Sequence, residues 1–174
     1  GSSAQSIEDL AIYRTLPNMT VMHPCDDVSA AELTRQCLDL TGPSYMRTAR
    51  NKTRVLHEDR IEEIKIGKGV VLRDGSDVCI IACGVLVAKA LEAAEKLAGD
   101  GIDAGVVSMH SIKPIDRDAI IAAANETGGI VTIEEHNIDG GLGSAVAEVC
   151  MDGGVAPKAF LRIGLNNRYS SVVG

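Results

Sequence analysis

The chain has 174 residues, a formal net charge of −7 and a hydrophobic content of 45%. This acidic balance argues against nucleic acid and anionic membrane surfaces as partners, because few cations are available to neutralise a phosphate backbone. The longest nearly apolar stretch, residues 78–88, is far shorter than the about 20 residues that span a bilayer. We therefore expect a globular chain with no membrane partner, long enough for one domain and part of another.

The five cysteines are odd in number, scattered and set in apolar surroundings. Cys79 and Cys83 do not have the C-x-x-C spacing of a redox or zinc site, and no two histidines have zinc-ligand spacing. This usage is typical of reduced core thiols, so we expect no metal site and a cytoplasmic location.

The first 50 residues predict a helix, a strand, a second helix and a second strand. The strands are expected at residues 20–22 and 44–48, and the second helix is expected to open at a capping box between Ser29 and Glu32.

Residues 51–68 are rich in charge and have no core pattern, so they are predicted to be a linker. From residue 69 onward, strand-like runs alternate with helical periodicity, which is typical of a mostly parallel α/β sheet. The Asp74-Gly75 pair between two apolar runs predicts a β-hairpin. The longest helical pattern runs from Val87 to Ala98, and Asp116 is expected to begin another helix. Further elements are predicted at residues 104–109, 130–134, 145–149 and 160–163.

Three motifs follow one another along the chain: QSIEDLAIYRTLPNM at residues 5–19, GPSYMRTAR at residues 42–50, and SIKPID, TIEEH and GGLGS at residues 111–116, 132–136 and 140–144. The first resembles the segment of the transketolase family that begins at an active-site glutamine. The second resembles the end of that family's pyrimidine-binding domain, and the third resembles the signature of its C-terminal domain. The motifs cover nearly the whole chain in the family's order.

The resemblance implies an α/β chain in two parts. Residues 1–50 would be the C-terminal part of the pyrimidine-binding domain and residues 51–68 a linker. Residues 69–174 would be a Rossmann-like C-terminal transketolase domain with a mostly parallel sheet, lacking its last helix. Such enzymes transfer a two-carbon ketol unit between sugar phosphates, as in pentose phosphate metabolism, and they use thiamine diphosphate and magnesium. Most ligands of the cofactor would lie outside this chain, which would be inactive alone.

Two residues are assigned to the site through the resemblance. Arg50 matches the family arginine that grips the substrate phosphate, and a guanidinium offers phosphate a planar, bidentate fork. Gln5 matches the active-site glutamine and is expected to contact substrate during catalysis, although glutamine cannot act as a general base. The alternatives are an ordinary surface role for Arg50, and for Gln5 a place before a helix capped by a Ser6–Asp9 box.

Ala4 departs from the family pattern. In microbial transketolases a His-Gln pair stands here, and the histidine contacts a substrate hydroxyl and assists proton transfer. Alanine has no polar side-chain atom for that contact. The identity of the substrate sugar is therefore left open, and an enzyme for a different sugar phosphate is an alternative.

The Gly-rich segment at residues 140–144 partly matches a dinucleotide loop, but it lacks the third glycine and the following acid. We expect instead a close-packed turn at a domain or subunit contact. The adjacent Glu134, Glu135 and His136 are predicted to be polar groups of a turn and an interface.

The resemblance implies a partner, which is either a missing N-terminal part or a separate N-terminal subunit, in a homodimer or a heterotetramer. Two alternatives remain: a fragment of the 2-oxoacid dehydrogenase β-subunit or deoxyxylulose-phosphate synthase type, and a non-catalytic dimerisation or regulatory module. The IEDLA..R segment and the Glu-Glu-His run favour transketolase.

Overall fold

The computed structural model describes residues 6–50 and 52–167. The helices in these residues are α1 (Asp9–Thr15), α2 (Asp27–Cys37), α3 (Leu86–Gly99), α4 (Arg117–Glu126) and α5 (Leu142–Asp152). The strands are β1 (Thr20–Met22), β2 (Ser44–Met46), β3 (Val70–Arg73), β4 (Val78–Ala82), β5 (Ala104–Ser108), β6 (Ser111–Lys113), β7 (Ile130–Asn137) and β8 (Phe160–Leu165). None of these helices combines the length and the apolarity that crossing a bilayer requires.

The larger sheet has five strands in the order β3-β5-β4-β7-β8. Strands β5, β4, β7 and β8 are mutually parallel, and only the edge strand β3 is antiparallel to its neighbour. Helix α3 packs on one face through Val87, Ala90 and Ala94, while α4 and α5 cover the other face. The predicted α/β class with a mostly parallel sheet is confirmed.

The smaller sheet has the order β2-β1-β6. Strand β6, which the sequence did not predict, comes from the later part of the chain and pairs antiparallel with β1. Leu10 and Val21 from the first part also belong to the same buried cluster as Ile81 and Val146 from the large sheet and its helix. Residues 6–50 therefore share a core with the later part of the described chain.

The predicted hairpin at Asp74-Gly75 is wrong, because β3 pairs with β5 and not with β4. The turn carries the chain across the beginning of β5: a Cβ on Gly75 would lie 2.1 Å from the backbone nitrogen of Gly105. The backbone nitrogen of Ser76 donates to the Asp103 carboxylate at 2.9 Å, which fixes this crossing. Glycine is required here by close approach and not by a hairpin turn.

Two helix starts also differ from the predictions. Helix α2 is capped by Asp26, whose carboxylate accepts from the backbone nitrogen of Ser29 at 2.8 Å, so the predicted opening at Ser29 is wrong by one turn. Helix α1 has Glu8 at its N-cap, and the Ser6–Asp9 box does not form. The predicted Asp116 cap of α4 is confirmed. Ser29 is the third residue of α2 and completes a capping box, because its hydroxyl accepts from the Asp26 backbone nitrogen at 3.2 Å.

The charged segment expected to be a linker packs against α2. Ile64 is buried with Met22 and Leu33 in a third apolar cluster. The Gln36 side chain donates to the Ile64 carbonyl at 2.7 Å and accepts from the Ile66 nitrogen at 3.0 Å.

Candidate functional site

Arg50 lies on the loop that follows β2. The residue is exposed, and the described residues of the loop, 48–50 and 52–56, form neither helix nor strand. Within the part of the chain that the structure describes, no carboxylate pairs with the Arg50 guanidinium. An exposed guanidinium without an internal partner is chemically suited to bind an external anion.

A buried aspartate fixes the beginning of this loop. Asp9, in α1, accepts from the Tyr45 hydroxyl at 2.6 Å and from the Arg47 guanidinium at 3.3 Å. The backbone nitrogen of Arg47 donates to the Met22 carbonyl at 2.9 Å. The Tyr45 ring stacks on Tyr13 with centroids 3.9 Å apart, and burial together with the hydrogen bond to Asp9 raises the pKa of Tyr45. Helix α1 and the start of the loop are thus held together by a neutral phenol, a carboxylate and a guanidinium.

The two predicted site segments run side by side. Asp9 is four residues after Gln5, and its partner Arg47 is three residues before Arg50. Gln5 and Ala4 themselves lie outside the described residues. The contact between Asp9 and Arg47 therefore joins the segment that follows Gln5 to the segment that leads to Arg50.

Sequence reasoning missed Asp9, Tyr45 and Arg47. The available signal was the alternation of Tyr45 and Arg47 in the predicted strand at residues 44–48, which would place both side chains on one face. A largely buried arginine needs a carboxylate partner, and Asp9 of α1 supplies it.

Buried histidines extend this polar layer beneath α1. The Nδ1 atom of His136 lies 2.6 Å from the Asn137 carbonyl and must donate to it, while Nε2 accepts from the Ala11 nitrogen at 3.4 Å. These contacts assign a ring proton to His136 Nδ1. Burial, followed by the nearby Arg47 charge, lowers the pKa of His23 to about 3, so His23 is neutral at ordinary pH.

The Gly-rich segment holds a carboxylate of the protein itself. Glu134 is buried in β7, and its carboxylate accepts from the backbone nitrogens of Leu142 at 2.7 Å and Gly143 at 2.8 Å, at the start of α5. A Cβ on Gly141 would lie 2.0 Å from Glu134 Oε2. The position at which a dinucleotide loop would bind phosphate is therefore filled, and the nucleotide alternative fails on this geometry.

The prediction that Glu134 and His136 lie in a turn and an interface is wrong, because both are buried in strand β7. The neighbouring turn does pack tightly against α1. A Cβ on Gly140 would lie 2.7 Å from the Ala11 Cβ, and the Gly140 carbonyl accepts from Arg14 at 2.8 Å. This turn thus contacts the first part of the same chain.

One cluster has the composition of a metal site: Cys25, Asp26 and His57 lie together and are buried. The Asp26 oxygens already accept from backbone nitrogens of Ser29, Leu56 and His57. Burial and the Asp26 charge raise the pKa of the Cys25 thiol to about 12, so without a metal the thiol is protonated and is a poor nucleophile near neutral pH. The Asp26 oxygens in this cluster are held by internal hydrogen bonds, whereas His57 Nε2 is buried without a partner among the described residues.

The described residues do not fit thiamine diphosphate or magnesium by themselves. A pocket of about 280 Å³ lies between α2 and the Arg50 loop, and another of about 270 Å³ lies between α1, α4 and α5. In the second pocket, Glu148 pairs with Arg14 and Asp152 with Arg117, so each carboxylate already has an arginine partner. In the first, the Asp26 oxygens are occupied as described, which leaves Asp27 as a single exposed carboxylate. Neither pocket offers a free set of oxygen ligands for a diphosphate-bound metal.

Comparisons with known proteins agree with this architecture. The chain is 41% identical over 172 residues to the 6-deoxy-6-sulfo-D-fructose transketolase subunit SqwH of Clostridium sp. (strain MSTE9), covering 99% of this chain and 52% of that protein. It is 40% identical over 171 residues to 1-deoxy-D-xylulose-5-phosphate synthase 2 of Geobacter sulfurreducens, covering 97% of this chain and 27% of the synthase.

A solved structure described as a split gene transketolase, inactive β4 tetramer, superimposes with a TM-score of 0.91. It is 43% identical, and the match covers 98% of this chain and 56% of that one. The chain spans about half the length of the first curated relatives that it matches.

Family models match both parts of the chain. The model of the transketolase pyrimidine binding domain matches residues 1–55, and the model of the transketolase C-terminal domain matches residues 67–172. On these matches, the chain belongs to the transketolase family, whose members depend on thiamine diphosphate.

Proposed function

We propose that the chain is the C-terminal part of a transketolase that transfers a two-carbon ketol unit between anionic sugars. The observation that carries this proposal is the Arg50 loop. Arg50 is exposed, has no carboxylate partner among the described residues, and follows a strand end that Asp9 and Arg47 hold against α1. The guanidinium would bind the terminal anion of the sugar through a bidentate contact.

The nature of the anion follows from the same chemistry. A phosphate and a sulfonate both present oxygens to a guanidinium fork, and the relative from Clostridium is named for a sulfo sugar. Sugar phosphates are the proposed substrates, with a sulfonated sugar as the alternative that this relative supports. Gln5 is proposed to contact the substrate, and Ala4 has no polar side-chain atom where microbial transketolases have a histidine.

Thiamine diphosphate and magnesium are proposed for the complete enzyme, with most of their ligands on other residues than those described. When bound, thiamine diphosphate supplies the carbanion chemistry of ketol transfer. This chain contributes the anion-binding loop and its supports, and it is inactive alone.

The proposed partner is an N-terminal part or a separate N-terminal subunit, in a homodimer or heterotetramer. This chain matches only about half of the length of its first curated relatives, which supports an additional N-terminal part. A cytoplasmic location is proposed because all five cysteines are free and four of them are buried.

The test is an Arg50→Ala variant in the complete enzyme, assayed with fructose 6-phosphate and with unphosphorylated fructose as donors. Hydrogen bonds to a charged group contribute about 1.5–3 kcal/mol, so kcat/KM for the phosphorylated donor should fall by about 10- to 150-fold. The control variant is Arg54→Ala, which removes another exposed arginine of the same segment. An equal loss on both donors would assign Arg50 a structural role.

The synthase of Geobacter favours one competing function, the synthesis of 1-deoxy-D-xylulose 5-phosphate. Formation of this product by the complete enzyme, without ketol transfer from fructose 6-phosphate, would establish that function instead.

A further inference from the structure

A single carboxylate oxygen holds the far end of the Arg50 loop. Asp26 Oδ2 accepts from the backbone nitrogens of Leu56 at 2.7 Å and His57 at 3.0 Å. The same oxygen lies 3.1 Å from His57 Nδ1, which must be the donor because a carboxylate only accepts. The Asp26 side chain is completely buried, so these bonds do not compete with water. The loop is therefore fixed six residues after Arg50 by a partner 30 positions earlier in the chain than Leu56.

The other oxygen of Asp26 is anchored to a helix. Asp26 Oδ1 accepts from the Ser29 nitrogen at 2.8 Å and caps α2, a helix of 11 residues. Burial alone would raise the pKa of Asp26, but the hydrogen bonds from His57, Ser29 and Leu56 outweigh it and hold the pKa well below its usual range. The carboxylate stays ionised and links a rigid element to the loop.

Both ends of the Arg50 loop are fixed by hydrogen bonds. The near end is fixed where Arg47 bonds to Met22 and Asp9, and the far end is fixed at Asp26. Arg50 lies between them in a stretch without helix or strand among its described residues. If one end were released, each freed residue would regain backbone entropy of about 1–2 kcal/mol. The guanidinium would then occupy its binding position for only part of the time, and apparent affinity would fall by that fraction.

We propose that Asp26 is a positioning residue for Arg50, acting through the backbone of Leu56 and His57. This inference rests on the proposed function, in which Arg50 binds the terminal anion of the sugar. Asp26 touches neither substrate nor cofactor in this role. Asp26 determines how well the loop holds the Arg50 guanidinium in its binding position. Loss of Asp26 should therefore raise KM for anionic donors and leave the reaction steps shared by all donors unchanged.

The chain provides a matched control in Asp116. This aspartate is also buried and caps a helix, accepting from the Ala119 nitrogen at 3.2 Å. Its other oxygen also accepts from a distant backbone nitrogen, that of Gly69 at 3.0 Å. Asp116 therefore caps a helix and binds a distant backbone nitrogen, as Asp26 does, but it has no contact with the Arg50 loop.

The experiment compares Asp26→Asn with Asp116→Asn in the complete enzyme. Asparagine is still a good N-cap, but an amide that caps the helix turns its NH₂ group toward the nitrogens that Asp26 Oδ2 accepts from. Hydrogen exchange is measured first, by mass spectrometry on peptides covering residues 48–57. We expect faster exchange in Asp26→Asn and unchanged exchange in Asp116→Asn. Unchanged exchange in Asp26→Asn would overturn the proposal whatever the kinetics.

Kinetics then test the connection to Arg50. For fructose 6-phosphate, Asp26→Asn should raise KM by about 10- to 100-fold, while kcat/KM for fructose stays within about twofold. In an Arg50→Ala background, Asp26→Asn should cause no further loss on the phosphorylated donor. A full additional loss there, or equal losses on both donors, would overturn the positioning role. If Arg50→Ala alone spares fructose 6-phosphate, the proposed function itself fails, and that result is separate from the exchange measurement.

Discussion

Replacing Gly141 with alanine should destabilise the protein strongly. The backbone at Gly141 has a negative φ of −83°, so the left-handed conformation that only glycine adopts easily is not required here. The obstacle is space: the added Cβ would lie 2.0 Å from Glu134 Oε2 and 2.7 Å from His136 Nδ1. The Glu134 carboxylate would have to move, and its bonds to the Leu142 and Gly143 nitrogens would be lost.

The size of the effect follows from those two bonds. A hydrogen bond to a charged group contributes about 1.5–3 kcal/mol, so the free energy of unfolding should fall by about 3–6 kcal/mol. The assay is urea unfolding followed by circular dichroism, with the free energy extrapolated to water. The control is Gly99→Ala at the last residue of α3, where an added Cβ meets no atom within 4 Å. That change should be neutral or stabilising by about 0.5–1 kcal/mol.

Two results would refute this reasoning. If the free energy of unfolding of Gly141→Ala lies within about 1 kcal/mol of the wild-type value, the Glu134 carboxylate is not held as described. If wild type binds ADP or NAD and Gly141→Ala abolishes that binding without loss of stability, the Gly-rich turn is a nucleotide loop after all.

Three further predictions concern cofactor, substrate and pH. Calorimetric titration of the isolated chain with thiamine diphosphate and magnesium should show no micromolar site, and such a site would contradict the placement of the cofactor ligands on other residues. In the complete enzyme, Ala4→His should improve xylulose 5-phosphate relative to the natural donor by about tenfold, since an unpaired buried hydroxyl costs about 1–3 kcal/mol; an unchanged kcat/KM ratio would show that Ala4 does not select the sugar. Because burial lowers the pKa of His23 from 6.5 to about 3, the unfolded chain binds the proton more readily, and stability should fall as pH drops through this range. His23→Gln should weaken that pH dependence in urea unfolding, and an unaltered slope would place its cause in other groups.

Local patterns in the sequence predicted most of the secondary structure correctly. Apolar spacing along α3 and the short apolar runs of β4 and β5 are properties of neighbouring residues, which a helix or strand must satisfy whatever surrounds it. The α/β class followed from the alternation of such segments, and the family followed from motifs that are linear by nature.

Local patterns did not predict which distant segments pair with each other. An Asp-Gly pair serves a hairpin and a crossing equally well, and only the contact of Gly75 with Gly105 decides for the crossing. Strand β6 has three residues, too few for any periodicity to be recognised, and its partner β1 lies about 90 positions earlier in the chain.

The candidate site divides in the same way. Linear motifs were enough to identify the family and to point to Arg50 and Gln5 as candidate site residues. The pairing of Asp9 with Arg47, the capping of α5 by Glu134 from inside the core, and the link that Asp26 makes between α2 and the end of the Arg50 loop became visible in the folded chain. In a sequence, an aspartate or glutamate is most simply interpreted as a surface residue. Its burial is tolerated only when donors from distant segments converge on it, and that convergence exists only in the folded chain.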